Sequence, residues 1–252
     1  MAAMNVRLYV VNGSHPCATV EAALQRKKIP YKTTEFPPPM HMAFMQLRFG
    51  QRTVPAIKID GEKISGSRAI LRRLDELVPQ PALYPADPAA RAAVEEAEAW
   101  GDEVLQPLVR RVLWPTFRAH PAAMASFSDG SKLPALPVPV IKAIAPVATR
   151  IEMKANGATD ATYPEDLRAL PELLDKIDGW IADGVLGVAE PNAADLQIAA
   201  SLRLLMTMRD LRPIVEPRPA GVLALRIFPD FPGDVAAGSI PADLLPPVAV
   251  PA

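Results

Sequence analysis

The chain is poor in metal- and redox-active side chains. It has one cysteine, Cys17, and three histidines, His15, His41 and His120, in 252 residues. A single thiol forms no intramolecular disulfide, and with three scattered imidazoles it makes no Cys/His metal site. A surplus of charge is also lacking. Lys and Arg number 27 and Asp and Glu 28, for a net charge of −1. That balance gives no general attraction to nucleic acid or to an anionic membrane. Long apolar runs are missing too. The most apolar-rich stretch, residues 133–148, is interrupted by Lys142, Pro134, Pro137, Pro139 and Pro146, so it is too short and too broken to span a bilayer. No basic segment leads into an apolar one at the start, so no signal peptide is expected. An unpaired thiol suits a reducing compartment, and the expected location is the cytoplasm. No Gly-rich phosphate loop, Ser/His/Asp order or paired-carboxylate pattern stands out.

What is present is an ordinary globular balance, half hydrophobic and 22% charged, in a length that suits one large or two modest domains. Residues 1–80 alternate strand and helix signals. Val6 to Val11 reads as a strand. Helix one begins near Pro16, with Val20, Leu24 and Lys27 at helical spacing. Tyr31 to Phe36 is a second strand, and a short helix over His41 to Arg48 is capped by Gly50. Asp60-Gly61 joins two β-like runs as a hairpin. Ser67 to Leu77 closes the unit as a helix with Ile70, Leu71, Leu74 and Leu77 inward.

Val78 to Pro88, with four prolines, reads as a linker. Residues 89–252 look helical. Ala89 to Trp114 forms one long pattern whose stripe is Val94, Ala97, Trp100, Gly101, Val104 and Leu108, and Pro107 is placed to kink or divide it. Residues 120–146 suggest no single regular element. Helices are expected again over 144–156, 164–182 and 193–208. Residues 229–252 contain six prolines, which favours an extended tail on the surface.

Ser14 sits at a strand-to-helix turn, where free backbone N–H groups and the positive end of a helix dipole favour an anion. Its hydroxyl can stabilise a bound thiolate, or it can cap helix one. Cys17 shares the inward face with Val20 and Leu24 and is assigned to packing. Val54-Pro55 is either a cis peptide or an ordinary trans proline entering an edge strand. Asn192 and Asp195 form a capping box ahead of a helix that is apolar on almost every side. Trp114, Phe117 and Phe127 are candidates for an apolar pocket, while Trp100 reads as core.

Three separated motifs now carry a resemblance to the glutathione S-transferase superfamily, over nearly the whole chain. They are Ser14-His15-Pro16-Cys17-Ala18-Thr19-Val20, similar to the serine-x-proline-cysteine turn of theta-like members; Thr53-Val54-Pro55-Ala56 followed by Ser65-Gly66-Ser67-Arg68-Ala69-Ile70; and Asn192-Ala193-Ala194-Asp195. Leu83-Tyr84-Pro85 with Arg91-Ala92 also fits the family's linker. The resemblance implies an α/β thioredoxin-like N-terminal domain (1–80) followed by an all-α C-terminal domain (89–252). It implies a cytoplasmic homodimer that uses glutathione as co-substrate, no metal, and a small hydrophobic electrophile as acceptor. Ser14 would be catalytic. Val54, Pro55, Gly66, Ser67 and Arg68 would bind the thiol substrate, with Arg52 and His41 as further candidates. Gly66 replaces the family's usual Glu or Gln, which leaves open whether the thiol is glutathione or another small thiol.

Overall fold

The computed structural model describes residues 4–247. Its first half is built from β1 (Val6–Val10), α1 (His15–Arg26), β2 (Lys32–Glu35), α2 (His41–Phe49), β3 (Ala56–Ile59), β4 (Glu62–Ser65) and α3 (Ser67–Leu77). The sheet order is β2-β1-β3-β4, with β1 and β2 parallel and the other pairs antiparallel. Strand alternation sorts the side chains onto two faces. Val6, Leu8, Val10, Ile57 and Ile59 enter the main core with α1 and α3. Tyr9 faces the other way and packs with Phe36, Phe44 and Phe49 beneath α2. Asp60 and Gly61 turn the β3–β4 hairpin at positive φ, 48° and 101°.

The linker is held from below. Lys27 is buried, and its ammonium donates to Asp75 Oδ1 (2.8 Å) and to the carbonyls of Val78 (2.6 Å) and Pro81 (2.9 Å). All three donors of the ammonium are used, which a buried lysine needs.

The second half contains α4 (Pro88–Trp100), α5 (Gln106–Ala119), α6 (Val138–Asn156), α7 (Thr162–Ala182), α8 (Ala193–Met206), α9 (Arg212–Val215) and α10 (Pro219–Ile227). α4 and α5 join through one wide π turn, Gly101–Leu105, in which Gln106 N–H reaches back to Gly101 O. The expected break at Pro107 is absorbed by that turn. Proline cannot donate to the preceding turn, and the wide turn rearranges the ladder just before it. Gly101 lets this segment press on α8, since a Cβ there would lie 3.0 Å from Ile198.

Several expectations need correction. α6 begins at Val138, not Ile144, and runs through Pro146, whose ring lies on its exposed face. Residues 121–128 form a 3-10 helix. α10 was not anticipated, yet Leu223 and Ala224 bury one side of it. The tail lies over the surface with a 3-10 turn at Ala242–Leu244, but it is anchored rather than loose. Val235 N–H donates to Thr207 O (2.8 Å), Arg209 N–H donates to Val235 O (3.0 Å), and Val235 and Ile240 are buried. Residues 248–252 of that Pro-rich tail lie outside the described residues.

α8 is the floor common to both halves. Asp195 N–H donates to Asn192 Oδ1 (3.0 Å), and Asn192 N–H donates to Asp195 Oδ2 (2.9 Å), which completes the capping box. Asp195 Oδ1 also accepts from Gly187 N–H (2.8 Å). Thr19 of α1 donates to Leu196 O (3.2 Å), tying the sheet-bearing half to this helix. No helix among the described residues is long and apolar enough to cross a membrane.

Candidate active site

The β1–α1 turn positions Ser14. Gly13 takes a φ of +72°, which glycine adopts at little cost, and Ser14 follows as the N-cap residue. Its side chain makes no capping hydrogen bond, so the hydroxyl is not spent on the helix. It lines a cleft of about 1050 Å³ between the two halves of the molecule. Cys17, one turn later, is 2% exposed and faces the core. Burial pushes its thiol up to about 12, with the Ser14 hydroxyl and the Val11 backbone pulling the other way and Glu21 adding to the rise. A thiol so placed is protonated at neutral pH.

Val54-Pro55 is cis. Val54 lines the same cleft as Ser14, while Pro55 is buried behind it. Pro55 O accepts from Gly66 N–H (3.0 Å), which brings two of the expected binding residues together. Gly66 adopts φ +86° with open space around it. A side chain would find room there, but the backbone conformation favours glycine. Ser67 begins α3, and its hydroxyl is buried without a partner. Arg68 is held by carboxylates of the α4–α5 junction: 2.8 Å to Glu103, 3.9 Å to Glu98 and 4.0 Å to Asp102. Gly66, Ser67 and Arg68 do not line the cleft shared by Ser14 and Val54.

The opposite wall is apolar. Leu113, Trp114 and Phe117 come from α5, Met124 and Phe127 from the 3-10 strap, and Ile141, Ile144 and Val147 from α6. Phe117 meets Trp114 and Phe127 edge-on, with ring centroids 5.6 and 5.1 Å away. Trp100 belongs elsewhere, against Trp180. The strap is fastened to the Ser14 turn. Asn12 Nδ2 donates to Phe127 O (2.7 Å) and Asp129 O (2.9 Å), and Glu35 accepts from the Ser131 hydroxyl and from Lys132 N–H (2.8 Å). The Phe127 ring lies so close over Gly13 that a Cβ there would be 2.7 Å away. The helical half thus reaches the Ser14 turn through this ring.

Arg52 and His41 also line the cleft, and burial pushes His41 down to about 4. Sequence reasoning missed two further charged groups there, Arg110 and Glu152. Arg110 shares a helical face with Leu113 and Phe117, and Glu152 continues the stripe of Ile141, Ala145 and Ala148. A charge on an otherwise apolar stripe was the signal available. Burial pushes Glu152 up to about 7, opposed by its hydrogen bond with Asn156 and the charge of Arg110. Among the described residues no group of His, Cys, Asp and Glu is placed to hold a metal ion.

Residues 8–82 match the family described as glutathione S-transferase, N-terminal domain. The N-terminal unit belongs to the glutathione S-transferase superfamily. One curated relative, the probable maleylacetoacetate isomerase 1 of Drosophila melanogaster, is 46% identical over 55 residues, spanning only 22% of each chain. Two solved structures share the fold over most of the chain. The beta-etherase LigF of Sphingobium has a TM-score of 0.58 at 16% identity, covering 88% of this chain and 99% of that one. The maleylacetoacetate isomerase of Anaeromyxobacter dehalogenans, solved with glutathione in its active site, has a TM-score of 0.54 at 20% identity. It covers 90% of this chain and 91% of the isomerase. The architecture is thus a thioredoxin-like α/β unit followed by helices, as in glutathione transferases.

Proposed function

We propose that the chain is a glutathione transferase-like enzyme in which Ser14 stabilises the thiolate of glutathione, or of a related small thiol. Residues 1–80 bind that thiol, and residues 89–252 present a small hydrophobic electrophile. The observation that carries this reading is the Ser14 hydroxyl, free of any capping bond at a helix N-terminus, on a residue that lines the same cleft as Val54 and the aromatic wall. A hydroxyl donating to sulfur, together with the helix dipole, favours the charged nucleophile. Holding both reactants in one cleft supplies the remainder through proximity. The thiol's peptide has a place beyond the sulfur: the Val54 backbone is offered for strand-like pairing, and the buried, unpartnered Ser67 hydroxyl at the start of α3 fits a carboxylate. Partners on this reading are small molecules, in the cytoplasm and within a homodimer. Sedimentation of the purified chain tests the dimer.

Ser14→Ala is expected to lower kcat/KM with glutathione and 1-chloro-2,4-dinitrobenzene on the order of 10- to 100-fold, the value of one charge-assisted hydrogen bond. Unchanged turnover would remove Ser14 from the chemistry. Glutathione-dependent isomerisation is the second reading, favoured by the isomerase among the relatives. Both begin with the thiolate and part at the product. Conjugation leaves the thiol in the product, whereas isomerisation returns it, and mass spectrometry separates the two. A non-catalytic thiol-binding protein and a thiol-disulfide reductase are the remaining rivals: the first predicts glutathione binding with no turnover of any electrophile, and the second needs Cys17 to react with an alkylating reagent in the native protein.

A further inference from the structure

We propose that Arg110 anchors a carboxylate of the acceptor, so that the cleft selects hydrophobic electrophiles that carry one acidic group. This rests on the reading of the cleft as the acceptor site. Arg110 lines that cleft from α5, beside Leu113 and Phe117. Arg110 is half-buried, and no carboxylate lies within ion-pair distance of its guanidinium among the described residues. Its one protein partner is Gln106 Oε1, at 3.4 Å, and its Nε has none. The adjacent Arg111 shows the contrast, since it is satisfied by Asp166 through two bonds of 2.7 Å. A half-buried guanidinium with a buried, unpartnered Nε and no anionic partner presents a planar fork that matches a carboxylate.

The surroundings narrow the anion to a single charge. Asp102 lies near enough to act on Arg110 and repels further negative charge, which favours a monoanion. Glu152 Oε1 is buried without a partner, and in its protonated form it is a second donor to a bound carboxylate. His15 contributes no charge. The single proton of the Ser201 hydroxyl goes to Gln197 O (3.1 Å), so His15 Nδ1–H donates to Ser201 Oγ (3.0 Å) and Nε2 remains a bare acceptor. Burial, aided by the Arg110 charge, keeps this ring neutral. The site therefore has one fixed positive group at the end of an aromatic wall, which suits an aryl or alkenyl acid.

The test needs no thiol. Calorimetry on the full chain compares 4-phenylbutanoate with 4-phenylbutanol, an uncharged molecule of similar shape. The acid is expected to bind about tenfold more tightly or better, the value of a bidentate charged contact. Arg110→Met should abolish that preference while retaining the alcohol, and Arg110→Gln reads the same difference if the methionine variant does not fold. Equal binding of acid and alcohol, no binding of the acid at millimolar concentration, or an acid preference that survives both substitutions would overturn the proposal. Acid preference with no glutathione turnover would instead overturn the enzymatic reading and leave the anion site standing.

Discussion

The two sides of the cleft are built differently. The side proposed to hold the thiol is mainly backbone: a turn opened by Gly13, the Val54-Pro55 peptide, and Gly66 N–H donating to Pro55 O. The side proposed to hold the acceptor consists of side chains from α5, the strap and α6, drawn onto the turn by Asn12 and Glu35. Backbone sites depend on residues with special φ and on their immediate neighbours, so short motifs record them. A wall of side chains depends on packing between segments far apart in the chain. Asn12 meets Phe127 across 115 positions.

The largest expected effect ignores the division. Asp195→Ala removes a cap and leaves the Gly187 and Asn192 N–H groups without their carboxylate, at a cost of about 3 kcal/mol in urea unfolding. Thiol and acceptor binding should fail together. Loss of one alone would show that α8 is not their common floor. Phe127→Ala separates the two sides. It should cost roughly 1–2 kcal/mol of stability and raise the acceptor KM about tenfold, with the glutathione KM within about twofold. An equal rise in both would break the comparison.

Glu152→Gln tests the acceptor side by pH. Burial raises this carboxyl from 4.5 to about 7, so the folded state binds a proton that the unfolded state releases between those values. Its contribution is full below the unfolded value and is lost as pH rises through about 7. The variant should therefore gain on the order of 1 kcal/mol over the wild type at alkaline pH, and the gain should vanish in acid. A pH-independent difference would contradict the burial argument. The smallest expected effect is on Cys17. With its thiol buried and pushed up to about 12, iodoacetamide should leave the native protein unlabelled.

The sequence was most legible where local chemistry decides structure. The Asn192–Asp195 box, the Asp60-Gly61 hairpin and the inward Cys17 each follow from residues within two turns of each other. It was less legible where prolines fall inside helices. Pro146 lies on the exposed face of α6 and Pro107 follows a π turn, so neither ends its helix. The strap and α10 were missed for a different reason. Their order comes from tertiary contacts, Asn12 and Glu35 for the strap and the α8 surface for α10, that no periodicity announces. Arg110 and Glu152 were visible as charges on apolar stripes, but their meeting in one cleft was not.

The central claim is that the Ser14 hydroxyl, free of the helix cap, stabilises a thiolate. Titrating the thiolate absorbance of glutathione bound to the wild type and to Ser14→Ala tests it directly. The account predicts ionisation well below the free thiol in the wild type and a return toward the free value in the variant. The same low titration in both proteins would contradict it.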